Sequence, residues 1–369
     1  MVAIVGLAAL VVAAAAATTK PDPREAGSAL RHRPLESFGR RGGAQRASKR
    51  DATVRYATRR GRGAPSVSAS ELDGREVLLR LARAAADASN AVTLLTAGMA
   101  YHEVVANFLA AYERSGRRNW VVACLDGELG AWLADRGAAC APTVGRSKWA
   151  KVHAHIWTTR VQMLVSLLEA GFSVTLADAD AVFLGDAAPW LGRDKGDVVA
   201  SRGSFPSWAS EAWGATACMG LVRFNAGPKT LDFARSLLHQ TRALGDDQKA
   251  VNAVLKRAGV AWARESGVAP RAPPLKYEGS ALLATGDAGG LRVALLPHVL
   301  FQRRCPDDPP KGPAVVVKHC YTEKEAASKK AALAGAGAWL LRGDWRRVAA
   351  TNGTSAWLAA ITSRLNHIT

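Results

Sequence analysis

The chain has 369 residues, 49% of them hydrophobic and 22% charged, so it can bury a sizeable core and is ordinary for a globular protein. The net charge of +18 is unusual, but half of the excess lies in residues 20–70, where thirteen Lys or Arg face four Asp or Glu. The surplus in the rest of the chain is compatible with anionic ligands such as nucleotide diphosphates and argues against nucleic acid as the main partner.

An apolar run from Val2 to Ala17 opens the chain and is shorter than the roughly 20 residues of a spanning helix. Residues 1–19 therefore read as a cleaved signal peptide or a signal-anchor that would attach the protein to a membrane. Basic residues follow the run and none precedes it, which opposes an anchor. We expect a secretory-pathway protein, with a plastid destination as the alternative left by the Arg-rich segment that follows.

Residues 20–70 are rich in Arg, Gly, Ser and Pro and lack hydrophobic periodicity, which predicts a disordered basic stem. A helical pattern from Leu72 to Asp87 marks the start of the folded part. We predict one folded domain over residues 71–345 and a C-terminal tail over residues 346–369.

The folded part begins with a strand over Ala91–Leu95, a helix over Tyr101–Arg114 and a strand over Trp120–Leu125, which is a βαβ rhythm. The same alternation continues, with helices over Val152–Ala170, Lys229–Leu244 and Gln248–Ala258 and strands over Ser173–Leu176, Val198–Ala200, Leu221–Phe224, Arg292–Leu296 and Ala314–Val317. This order predicts an α/β fold with a mainly parallel sheet flanked by helices.

Two carboxylates, Asp178 and Asp180, follow the predicted strand Ser173–Leu176, with Ala177 between the strand and Asp178. Ligands of open α/β sheets bind at the carboxyl ends of the strands. Leaving an extended segment one residue apart, both carboxylates can reach a single hard cation, Mn²⁺ or Mg²⁺. The simpler alternative is a polar loop.

Two later patterns also carry polar groups. Asp247 and Gln248 followed by Asn252 open a helix, where a helix N-cap is the simpler interpretation. His319 ends the last strand and Lys329 follows ten residues later; alone, His319 would be an ordinary strand-end histidine.

In this order, the patterns resemble a known family. The stretch GFSVTLADADAVFL is similar to the D-x-D segment of the nucleotide-diphospho-sugar transferases, retaining enzymes of the Rossmann-like GT-A fold that include plant and algal arabinosyl- and xylosyltransferases. The resemblance extends from about Ala91 to Trp339. It implies a glycosyltransferase that takes a nucleotide-sugar donor, a UDP-linked pentose or hexose, and a glycan or glycoprotein acceptor.

The resemblance also implies roles for individual residues. His319 would be the third metal ligand beside Asp178 and Asp180, and Asp247 and Gln248 would stand near the anomeric carbon. The residues expected to bind the donor are Thr96, Ala97, Asp126, Arg160, Asp178, Gly220, Asn252 and Lys329. Relatives often have N-x-G where this chain has Cys218-Met219-Gly220, and His319-Cys320-Tyr321 also replaces an asparagine; both changes bear on sugar or acceptor preference.

Two other functions compete. D-x-D-x-V also fits a haloacid-dehalogenase-like Mg²⁺-dependent phosphatase, but that class needs a later acidic motif after an apolar strand, and Asp246-Asp247 follows a helix end. A basic nucleic-acid-binding protein would have cations and aromatics clustered in the folded domain, whereas here the cluster is in the stem.

The five cysteines form no C-x-x-C pair, which argues against a zinc site. A Cys305–Cys320 disulfide and buried free thiols both remain open, and an odd number leaves at least one thiol free in a monomer. Asn352-Gly353-Thr354 is an N-glycosylation sequon consistent with residence in the lumen.

Overall fold

The computed structural model describes residues 74–143, 152–303, 315–320, 325–343, 345–347, 354 and 357–358. The chain divides into two compact units, residues 1–51 and 52–369, and all described residues belong to the second. The predicted signal segment, the stem and the sequon residue Asn352 lie outside the described residues. Within the described ranges, no helix has the length and apolar character needed to cross a membrane.

Helices and strands alternate in the N-terminal half. These elements are α1 (Gly74–Ala85), β1 (Ala91–Ala97), α2 (His102–Arg114), β2 (Trp120–Cys124), α3 (Gly127–Ala134), β3 (Cys140–Pro142), α4 (Val152–Glu169), β4 (Ser173–Ala177) and β5 (Ala181–Phe183). The later elements are α5 (Ala188–Leu191), β6 (Val198–Gly203), α6 (Ser207–Trp213), β7 (Thr216–Phe224), α7 (Pro228–Leu244), α8 (Asp247–Arg257), β8 (Ala261–Trp262), β9 (Ala284–Ala288), β10 (Leu291–Leu295), β11 (Phe301–Gln302), β12 (Val317–His319) and α9 (Ala326–Gly335).

Nine strands form the main sheet, in the order β3-β2-β1-β4-β7-β6-β10-β9-β8. Their pairing gives seven strands one direction, and only β7 and β9 run against them. The predicted α/β fold with a mainly parallel sheet and flanking helices is confirmed.

Both faces of the main sheet are covered, which explains why its central strands read as continuous apolar runs. Successive side chains of a strand point to opposite faces. Accordingly Leu95 belongs to the core on the α2 side, and its neighbour Leu94 belongs to the core on the α4, α7 and α8 side.

A second sheet of three strands, in the order β11-β12-β5, stands at the carboxyl end of β4. Strand β5 begins directly after Asp180, and it pairs antiparallel with β12 so that His319 lies opposite Ala181. This pairing brings a residue from far along the chain next to the D-x-D turn.

The cysteines were only partly anticipated. Cys124 and Cys140 form a disulfide between β2 and β3, a bond that the sequence patterns did not indicate because β3 has only three residues. Cys218 is a buried free thiol. Cys320 is disulfide-bonded, and Cys305 lies outside the described residues.

Candidate metal centre and donor site

Asp178, Asp180 and His319 converge at the carboxyl end of β4. His319 Nε2 lies 3.5 Å from Asp178 Oδ2 and 3.5 Å from Asp180 Oδ1. One candidate ligand atom from each residue lies within 4.8 Å of the others. Asp180 and His319 are buried, whereas the Asp178 side chain is 29% exposed and forms the open side of the cluster.

Gly220 supplies the space that this cluster needs. Its carbonyl accepts a 2.8 Å hydrogen bond from the Asp178 amide, so the β7 backbone lies against the D-x-D turn. A Cβ at this position would lie 2.1 Å from His319 Cε1 and 2.8 Å from Asp178 Oδ2. A side chain therefore cannot be added here unless a candidate ligand moves.

Two cations contact the carboxylates. Lys329 Nζ lies 2.7 Å from Asp180 Oδ2. The buried Arg160 guanidinium donates to Asp178 Oδ1 at 2.5 Å and to Asp247 Oδ2 at 2.6 Å, and it stacks over the Trp157 ring at 4.8 Å. Arg160 thus joins the predicted metal carboxylate to the predicted catalytic carboxylate.

The charges of the cluster stabilise one another. Burial alone would raise the pKa of Asp180, but His319 and Lys329 hold it well below its ordinary value. Burial alone would lower the pKa of His319, but Asp180 raises it to about 9. Burial raises the pKa of Asp247 to about 6, although Arg160 opposes the shift. Burial would lower the pKa of Arg160, but Asp247 and Asp178 raise it above its ordinary value.

Gln248 and Asn252 hydrogen-bond to backbone. The β6–β7 register passes from Ala200↔Val222 to Ser201↔Cys218, so residues 219–221 of β7 have no partner on β6. Gln248 accepts from the Met219 amide and donates to Ala217 O, and Asn252 bonds both the amide and the carbonyl of Ala217. These side chains hold the segment that carries Gly220, while their predicted contact with the donor sugar stays a prediction.

Thr96, Ala97 and Asp126 lie at the same edge of the sheet, at the ends of β1 and β2. Asp126 caps α3 by accepting from the Leu129 amide and also accepts from the Met99 amide, each at 2.8 Å. Thr96 Oγ1 is buried without a hydrogen-bond partner in the described part of the chain. No hydrogen bond or ion pair between described residues joins these three to the Asp178 cluster, so their role in nucleotide binding remains a prediction.

Three residues near the cluster were missed by sequence reasoning. Burial raises the Tyr101 pKa, and the charges of Asp180 and Asp178 raise it further. The Arg303 pKa is raised despite burial, through Cys218 and the same two carboxylates. Burial would raise the pKa of the Cys218 thiol, but Arg303 and His319 lower it to about 7. Only Cys218 had a sequence signal, its place in the altered N-x-G motif.

A family model described as nucleotide-diphospho-sugar transferase matches residues 115–331, more than half of the chain. The chain belongs to this family. All predicted site residues from Asp126 to Lys329 lie in the matched region, and Thr96 and Ala97 precede it. The predicted family and the glycosyltransferase class are thereby confirmed.

No curated protein matches this family member in sequence. Among solved structures, the glycosyltransferase GlyE of Streptococcus pneumoniae TIGR4 has 12% identity and a TM-score of 0.41, and the match covers 74% of this chain and 63% of GlyE. The galactosyltransferase LgtC, solved with donor and acceptor sugar analogues, has 13% identity and a TM-score of 0.34, with 69% of this chain and 99% of LgtC covered.

A divalent cation, which transferases of this fold typically use, fits the described cluster. Two carboxylates and one imidazole are suitable ligands for such an ion, and Gly220 leaves room beside them. Asp180 Oδ2 is buried and has no hydrogen-bond partner in the described part of the chain, although Lys329 Nζ lies 2.7 Å from it. The acidic motif that the phosphatase interpretation needs is not supported, because Asp246 follows α7 and caps α8.

Proposed function

We propose that this protein transfers a sugar, a UDP-linked pentose or hexose, from its nucleotide diphosphate to a hydroxyl of a glycan or glycoprotein, with retention of configuration. The observation that carries the proposal is the convergence of Asp178, Asp180 and His319 at the carboxyl end of β4 in a chain of this family. These residues would hold Mn²⁺ or Mg²⁺, which when bound supplies positive charge to the diphosphate.

The surrounding residues suit charge stabilisation. Lys329 and Arg160 are cations in contact with the metal carboxylates, so they can also meet the oxygens of a diphosphate bound there. Asp178 is the most exposed carboxylate of the cluster, at 29%, so we assign the donor to its side.

In the proposed reaction the bond between the anomeric carbon and the diphosphate oxygen breaks. The acceptor oxygen bonds to the same face of the sugar, and the hydroxyl proton leaves with the diphosphate. Asp247 is kept ionised at neutral pH by Arg160 and stands with Gln248 beside this site, where we assign both to the donor sugar. Thr96, Ala97 and Asp126 are assigned to the nucleotide.

The protein is proposed to work in the Golgi lumen, with residues 1–19 as signal or anchor and residues 20–70 as a stem. The disulfide between Cys124 and Cys140 supports an oxidising compartment.

The test is a screen of nucleotide sugars with Mn²⁺, comparing the wild type with Asp180→Ala. Asp194→Ala is the matched control, because the Asp194 side chain is 69% exposed and forms an ion pair with its neighbour Lys195, outside the metal cluster. We expect hydrolysis or transfer of one nucleotide sugar, a loss of about 100-fold or more in Asp180→Ala, and unchanged turnover in the control.

Unchanged turnover in Asp180→Ala would contradict the proposal. So would an Asp178-dependent phosphatase activity on simple phosphate esters without turnover of any nucleotide sugar, because that is the behaviour of the competing class.

A further inference from the structure

A groove of about 670 Å³ lies on the outer side of α8, where α6 and α7 border it. Its lining includes Trp208, Leu244, Lys249, Lys256 and Arg257. The groove contains none of the residues of the metal cluster, and neither the proposed donor chemistry nor the family match assigns it a role.

The groove combines cations with exposed apolar faces. Lys249 Nζ lies 5.6 Å from the ring centroid of Phe205, and Lys256 Nζ lies 5.0 Å from that of Trp208. Arg257 donates to the neutral amide oxygen of Gln240 at 3.2 Å. No ion pair between described residues joins any of the three cations to a carboxylate, so their charge is available to a ligand.

Exposed apolar surface is concentrated at the same place. Phe205 and Leu244 are 46% and 45% exposed, and they are two of the four large hydrophobic side chains that are exposed in the described part of the chain. Aromatic rings that each have a lysine ammonium group over them suit a ligand with an apolar face and an anionic group at its rim.

A uronic acid or a sulfated sugar has this chemistry, because the C–H face of its ring can stack on Trp208 or Phe205 while its anionic group pairs with a lysine. The volume falls within the range of roughly 300–1,000 Å³ typical of small-ligand sites, which is enough for a few sugar units. We propose that this groove binds an anionic segment, uronate or sulfate, of the acceptor glycan. This proposal rests on the proposed glycosyltransferase function and deepens it by naming the acceptor class.

Helix α8 connects the groove to the metal cluster. Asp247 in its first turn contacts Arg160, which contacts Asp178, while Lys249 and Lys256 face the groove from the same helix. With a rise of 1.5 Å per residue, these lysines lie roughly 3 and 14 Å beyond Asp247 along the axis. One short helix thus carries both the cations of the groove and a carboxylate of the proposed donor site.

The Gln248 amide strengthens this connection. It donates to Phe205 O at the edge of the groove and to Ala217 O on β7, the strand that carries Gly220. The Gln248 side chain thus hydrogen-bonds both to Phe205 at the edge of the groove and to β7, the strand that lies against the metal cluster.

The experiment measures binding of the full chain to an oligogalacturonate, a sulfated oligosaccharide, an uncharged oligosaccharide of equal length and a single-stranded oligonucleotide. The variant is Lys249→Gln/Lys256→Gln/Arg257→Gln. The charge-matched control is Arg80→Gln/Arg83→Gln/Arg118→Gln, which removes three exposed cations outside α6, α7 and α8. Basic residues 20–70 are present in the wild type and in both variants, so their contribution to polyanion binding cancels in the comparison.

We expect at least a tenfold loss of affinity for the uronate or the sulfated ligand in the groove variant, a smaller dependence of that affinity on salt, and less than a twofold change in the control. Trp208→Ala should weaken the same ligand. Whichever of the two anionic ligands shows the loss identifies the anionic group.

Equal binding of the uncharged oligosaccharide, unchanged affinity in the groove variant, or a loss for the oligonucleotide as large as that for the saccharide would overturn the proposal. Binding of a nucleoside diphosphate with Mn²⁺ is measured in the same proteins. The groove variant should retain it, and its absence from the wild type would refute the proposed function independently of the groove.

Discussion

Gly220 is the position where a single methyl group should disable the metal centre. The added Cβ of Gly220→Ala would lie 2.1 Å from His319 Cε1, whereas two carbon atoms in contact are about 3.5 Å apart. The imidazole would have to move by about 1.4 Å to relieve the overlap. Asp178 Oδ2, at 2.8 Å from the same position, limits movement on the other side.

The consequences differ in size for folding and for metal binding. Overpacking of a buried site costs about 1–3 kcal/mol, which is less than the roughly 5–15 kcal/mol by which native domains are typically stable. Metal ligands tolerate displacements of only about 0.2 Å, so His319 would be lost as a ligand. Since disturbing only the partners of metal ligands costs about 10–100-fold in affinity, we expect Mn²⁺ to bind at least about 100-fold more weakly.

The assay is calorimetric titration of Mn²⁺ into wild type, Gly220→Ala and the control Gly335→Ala, together with thermal unfolding of each. A Cβ at Gly335 would meet no atom within 4 Å, and this glycine ends helix α9, so the control should behave as wild type. Wild-type Mn²⁺ affinity in Gly220→Ala would refute the assignment of His319 as a ligand beside Asp178.

Three further predictions concern pH and stability. A proton and a metal compete for His319, whose pKa is raised to about 9. The Mn²⁺ dissociation constant should therefore decrease about tenfold for each unit by which the pH rises from 6 to 9. A dissociation constant that does not change with pH in titrations across that range would contradict this. Glu265→Gln should lower the free energy of unfolding at pH 7 by about 3–5 kcal/mol in denaturant titrations, because it leaves the buried Arg202 guanidinium, now 2.5 Å from Glu265, without its counter-charge. Burial would raise the pKa of Glu265, but Arg202 and a backbone amide hold it below the ordinary value. The ionised carboxylate therefore stabilises the fold above about pH 4.3, and this contribution is lost as the pH falls further. The difference in free energy of unfolding between wild type and variant should become smaller at those low pH values. Asn252→Leu should cost about 1–3 kcal/mol by the same denaturant method, because it leaves the buried Ala217 amide unpaired while Ala217 O keeps its bond from Gln248; an unchanged free energy of unfolding would show that β7 does not depend on this side chain.

The sequence predicted β4, α7 and α8, because each is an apolar or amphipathic run, whereas β7 begins at Thr216 instead of the predicted Leu221 and β12 spans Val317–His319 instead of the predicted Ala314–Val317. Strand β4 and helices α7 and α8 agree with their predicted bounds within a residue or two. Asp178 and Asp180 stand where the pattern placed them, directly after β4. For these elements local periodicity and strand order were sufficient.

Other features of the site depend on tertiary pairing that periodicity does not carry. Strand β12 has three residues, and only its pairing with β5 brings His319 beside Asp180. Arg303 and Tyr101 belong to no spacing pattern, and Cys124 and Cys140 are linked through a strand too short to give a signal. The family resemblance supplied the partner for His319, which residue patterns alone left as an ordinary histidine.

The charge balance of the described cluster indicates why metal and diphosphate should bind together. Asp178, Asp180 and Asp247 are faced by Arg160 and Lys329, and the raised pKa of His319 adds a proton at neutral pH. A divalent cation bound alone must displace that proton and approach Lys329, which leaves surplus positive charge in a largely buried place. A diphosphate brings the compensating negative charge, so each ligand should raise the affinity of the other by an equal factor. Without the metal, a diphosphate should bind poorly, because Arg160 and Lys329 are already paired with carboxylates that repel it.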